Sequence, residues 1–108
     1  MKTIILKSGT NKGNRRIWIE GKALTSTGFV RGVLLIKPMK NKKVVLTKDG
    51  ELILTKTTDQ KLKNHTIAGT TTRPILDLCG GWVTAFMAGK ARVLITISST
   101  TITIKPIK

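Results

Sequence analysis

Threonine, isoleucine and valine fill 36 of the 108 positions, as 17, 13 and 6 residues. Branching at Cβ stiffens χ1 and crowds a helical turn, whereas a pleated strand accommodates it well. A third of the chain is therefore suited to extended backbone, and no long helix is expected. Strands are predicted at 3–6, 15–19, 33–37, 43–47 and 51–55, and again at 75–78, 92–97 and 101–104. Lys48-Asp49-Gly50 marks a hairpin turn, because Asp-Gly tolerates the positive φ that tight turns require. Ser98-Ser99-Thr100 joins the final strand pair. In Thr101-Ile102-Thr103-Ile104 the alternation sends isoleucines to a core and threonines to water.

Two stretches break the strand pattern. Residues 22–27 hold Ala23 and Leu24 ahead of Gly28, which can close a helical turn in the left-handed conformation. In 81–87, Trp82, Val83 and Phe86 share one face of a short helix. Residues 56–72, rich in Thr, Lys, Asn and Gly, read as a linker anchored only by Leu62 and Ile67.

With 40% hydrophobic residues, 108 residues suffice for one domain with a modest core. The single cysteine, Cys79, and single histidine, His65, exclude an intrachain disulfide and a zinc finger, so no metal or other cofactor is expected. The longest apolar run is Val33 to Ile36, far short of a membrane span, and Ile4-Ile5-Leu6 is too short for a signal-peptide core. A soluble cytoplasmic protein with no membrane association is the expectation.

Charge is the loudest functional signal. Twenty Lys+Arg against five Asp+Glu give +15. Residues 1–48 carry 12 of the cations and one acid, Glu20; residues 49–108 carry 8 cations and four acids. A small domain this basic attracts polyanions through counterion release, which makes nucleic acid the default partner. A solubilising charge, or one that meets an acidic protein surface, is the alternative.

Laid over itself with a shift of 59, the chain places Ile19 on Leu78, Gly21 on Gly80, Leu24 on Val83, and Leu34-Leu35-Ile36 on Val93-Leu94-Ile95. Both halves read strand, glycine, short helix, basic turn, strand, turn, strand, as a duplication would. Within the first half, Gly21, Lys22, Leu24, Gly28, Phe29 and Gly32, followed by Asp49-Gly50-Glu51-Leu52, resemble the core motif of SymE-like proteins, a branch of the AbrB-like swapped-hairpin group. The resemblance is best over 15–55 and degenerate over 73–106, where Gly81-Trp82 replaces Lys22-Ala23. It implies a mainly β fold in which a first unit, 1–55, and a second, 73–108, interlock across the 56–72 linker. The product would be a small barrel, as a monomeric pseudo-dimer or a homodimer, with one or two very short helices. It also implies a DNA-binding transcription regulator or a toxin–antitoxin component.

Candidate phosphate contacts are Lys12, Arg15, Arg16, Lys22, Arg31, Lys37, Lys40, Lys42 and Lys43, the arginines being able to make paired hydrogen bonds. Trp18 is expected in the core, with base stacking as the alternative. Catalysis is not expected. His65 falls in the linker, Asp77 sits on a strand where a structural hydrogen bond to a neighbouring loop is its natural role, and Asp49 and Glu51 flank a solvated turn. DNA is favoured over RNA as partner. An RNA-directed toxin and a mobile-element protein that blocks a host defence complex through an acidic or RNA-loaded surface are the competing readings.

Overall fold

The computed structural model describes all 108 residues. In chain order the elements are β1 (Lys2–Lys7), β2 (Gly9–Asn11), β3 (Asn14–Glu20), α1 (Lys22–Thr25), β4 (Leu34–Ile36), β5 (Met39–Lys40), β6 (Lys43–Val44) and β7 (Leu52–Thr57). They continue with β8 (His65–Thr66), β9 (Ala68–Gly69), β10 (Pro74–Cys79), α2 (Gly81–Met87), β11 (Arg92–Ile97) and β12 (Thr101–Ile107).

Strand alternation decides which faces meet. β3 buries Ile17 and Ile19 and exposes Trp18; its antiparallel partner β10 buries Leu76 and Leu78 and exposes Asp77. The register sets Ile17 beside Leu78, Trp18 beside Asp77 and Ile19 beside Leu76. β2 and β9 flank this pair to give a four-stranded sheet, β2-β3-β10-β9. The larger sheet runs β1-β11-β12-β7-β4-β8, with Leu52, Leu54, Val93, Ile95, Ile97, Ile102 and Ile104 all buried on one face. The inward rows of both sheets and the apolar sides of both helices form one core of 18 residues. Water is thereby excluded from nearly all the branched and leucine side chains that the alternation assigns inward.

The fold is mainly β, with antiparallel sheets, but neither large sheet closes into a barrel. β1 and the two-residue β8 end the larger sheet as separate edges instead of pairing with each other. The expected linker is also ordered. Residues 56–57 finish β7, β8 pairs with β4, β9 pairs with β10, and Ile67 is 1% exposed. Of the two expected anchors Ile67 holds, while Leu62 is 58% exposed. The Lys48–Gly50 turn forms, closed by a Thr47 N–H bond to the Glu51 carbonyl. It does not pair 43–47 with 51–55, because β6 folds back on β5.

The helices start at matching places. Gly21 (φ 75°) and Gly80 (φ 127°) precede α1 and α2, each in a backbone region that side chains rarely enter. Their spacing is the overlay shift of 59, and Leu24 and Val83 are both fully buried. Further on the gapless overlay fails. It sets Leu35, which faces inward, on Leu94, whereas Val93 and Ile95 are the inward residues of β11. Strand period is two, so a one-residue slip of the inward positions against the overlay exchanges the faces; eight residues connect α1 to β4 and four connect α2 to β11.

Candidate nucleic-acid interface

α1 follows Glu20, which pairs with Ile75, and α2 follows Cys79, which pairs with Arg16. The helices therefore occupy opposite ends of the β3–β10 ladder, and the nine candidate cations divide between them. Lys22 and Arg31 belong to the α1 end. Lys12, Arg15 and Arg16 on the β2–β3 hairpin, with Lys37, Lys40, Lys42 and Lys43 on or beside the β5–β6 hairpin, belong to the α2 end.

Two local contacts build the α2 end. The Arg15 backbone N–H donates to Thr84 Oγ1 (2.9 Å), and Thr84 Oγ1 donates to Asn14 Oδ1 (3.2 Å), which ties the β2–β3 hairpin to the helix. Elsewhere around the helix, Lys42, Lys43 and Val44 of the other hairpin face Trp82, Ala85 and Phe86 across a groove. Both hairpins close with two-residue loops in which both residues have positive φ: Lys12 (52°) with Gly13 (84°), and Asn41 (52°) with Lys42 (65°). This is the mirror-image turn whose twist matches the strands, and its favoured sequence is Asn-Gly. Each loop keeps half of that favoured pair and places a lysine at the other position, where a side chain costs about 1 kcal/mol.

Only two of the twenty Lys and Arg side chains lie within salt-bridge range of an Asp or Glu side chain, Arg16 with Asp77 and Arg73 with Glu20. Arg16 is held on the outer face of β3: Nε and Nη2 each donate to an Asp77 carboxylate oxygen at 2.8 Å, and the guanidinium stacks 4.3 Å from the Trp18 ring centroid. Arg16 thus spends its paired donors on Asp77 instead of offering them outward. Asp77 makes a structural hydrogen bond, but to Arg16 of the neighbouring strand and not to the neighbouring loop expected for it. Trp18 departs from the core placement expected for it, because its position in β3 alternates out; it is 38% exposed.

Lys37 is a correction to the contact set. It is 9% exposed, with its ammonium 3.7 Å from the Trp82 ring centroid, and burial lowers its pKa. Asn64 fixes this segment, accepting from the Lys37 N–H (2.7 Å) and donating to its carbonyl (3.0 Å). His65 is another. Pairing of β8 with β4 draws it inward, its ring 5.8 Å from that of Trp82 and Nε2 buried without a partner. Burial first, and the Lys37 charge second, push its pKa down to about 4.

Two cations that sequence reasoning did not select lie apart from the α2 end, Lys56 beside the segment that follows α1 and Lys7 opposite Arg92. Lys56 lies with its ammonium 4.5 Å from the Phe29 ring centroid, and Lys7 ends the edge strand β1. Phe29 opposite a strand lysine is a tertiary pairing with no local sequence signal. No helix is long and apolar enough to cross a membrane. Comparison with protein-family models, with curated proteins and with solved structures finds no match to this chain.

Proposed function

We propose that the chain is a nucleic-acid-binding protein whose α2 end grips the phosphate backbone of duplex DNA. The carrying observation is the pair of hairpin tips, each holding a lysine in the left-handed conformation where glycine or asparagine would be cheaper. Backbone strain kept at an exposed tip is a pointer to function, and a lysine there projects its charge clear of the body. Arg15, Lys40 and Lys43 extend the same basic surface, and no carboxylate neutralises any of them. The SymE-like reading of 15–55, the pairing of two interlocked units and a role as a regulator or toxin–antitoxin component belong to this proposal. The matched starts of α1 and α2 and the antiparallel pairings of β3 with β10 and β7 with β12 support it.

A fluorescence-anisotropy titration against random duplex DNA and single-stranded RNA tests it. About five phosphate contacts predict that affinity falls by about two to three orders of magnitude between about 50 and 200 mM salt. Binding to neither polymer would overturn the reading and leave the charge for an acidic protein partner.

A further inference from the structure

The groove between the β5–β6 hairpin and α2 encloses about 510 Å³, within the range of small-molecule sites. Its walls are Met39, Val44, Leu46, Trp82, Ala85 and Phe86, and its only charged lining residues are Lys37, Lys42 and Lys43. Met39 and Leu46 remain 46% and 39% exposed on a chain that buries most of its large apolar side chains. Lys37 is the unusual member. Its side chain is largely covered, its ammonium lines the groove and touches the Trp82 face, and no carboxylate lies within salt-bridge range. A partly desolvated cation whose close partner is an aromatic face gains from an added counter-charge. The opening beside it is where a counter-charge fits.

A phosphodiester backbone would satisfy the lysines and leave the apolar walls wet. A neutral apolar molecule would do the reverse. We propose that this groove is a binding site for a small organic anion with an apolar body, an aryl or medium-chain carboxylate or its sulfonate equivalent. The anionic group meets Lys37 with Lys42 and Lys43 at the rim, and the body lies on Trp82, Ala85 and Phe86. The site stands whether or not the chain binds nucleic acid. Because Lys42 and Lys43 serve both, an occupant and a phosphate backbone would compete.

The test uses the full chain carrying Trp18→Phe, so that Trp82 is the sole tryptophan, and anilinonaphthalene sulfonate as probe. The expected result is one saturable site with energy transfer from Trp82 to the probe. Decanoate or naphthoate should displace it, whichever is stronger reporting an aliphatic or an aryl body, and decylammonium should not. Lys37→Met, which removes the charge, and Ala85→Phe, which fills the groove from an exposed helix position, should each weaken binding by about tenfold or more while a cooperative melt is kept. Absence of energy transfer, equal displacement by the cation, displacement by inorganic phosphate alone, or probe affinity within about twofold in both variants would overturn the proposal.

Discussion

At the scale of single residues, Lys12 and Lys42 set a stability cost against an exposed charge. Lys42→Gly and Lys12→Asn both restore the Asn-Gly pair that the turn favours. Each is expected to raise stability by about 0.5–1 kcal/mol in thermal or denaturant melts, while the double variant binds duplex DNA several-fold more weakly and loses about two from its salt slope. A double variant that binds as tightly as the parent would separate the strained tips from nucleic-acid binding. His65 gives a second expectation. Its pKa of about 4 lies below the unfolded value of 6.5, so between those values the unfolded chain binds more protons. Stability from this group is complete above about pH 6.5 and is lost as pH falls toward 4. With solvent screening of the partly exposed ring allowed for, the loss is about 1–2 kcal/mol. Melts of the parent and of His65→Gln should therefore converge as pH falls through that window. The lysine tips were legible in sequence as polar runs between strands. The burial of Lys37 and His65 was not, since both follow from the distant Trp82 and a lysine-rich stretch reads as solvated.

At the scale of elements, the β3–β10 ladder carries both structure and charge. Leu78 lies fully inside beside Ile17, and Leu78→Ala should cost about 2–5 kcal/mol by chemical denaturation, the transfer loss plus the cavity. Asp77 on the outer face is different. Asp77→Asn removes a carboxylate and releases Arg16 from its paired hydrogen bonds, so duplex affinity should rise several-fold in anisotropy titrations with little change in melting. The long strands were readable from alternation, as Ile17–Ile19 and Ile102–Ile104 show. The two-residue strands β8 and β9 were not, because pairs this short form only where partners such as β4 and β10 already stand. Asp49-Gly50 did announce its turn, yet the hairpin arm turned elsewhere: Asn41-Lys42 made the tighter loop. The charge that suggested the interface was plain in composition, but its gathering around α2 required the Thr84 contacts with Asn14 and Arg15.

At the scale of the whole molecule, the halves are mutually dependent. β3 finds its long partner in β10 and β7 finds one in β12, so residues 1–57 and 58–108, expressed apart, should each lack cooperative melting and regain it when mixed. Cooperative unfolding of either piece alone would show that one half closes its own core. The two short helices, each opened by a glycine after a strand, were legible at Gly21 and Gly80. The one-residue slip before β4 and β11 was not, because connection geometry fixes it and the apolar triplets look alike. A last consequence follows from β1, which pairs along its full length with β11, Lys2 with Ile97 through Lys7 with Arg92. During synthesis the first strand emerges about 5–20 s before its partner is made. Meanwhile Ile4, Ile5 and Leu6 stay unpaired between Lys2 and Lys7, whose charges discourage wrong edge-to-edge pairing. The lysines at the two ends of β1 thus guard the nascent chain until β11 has been made and can pair with it.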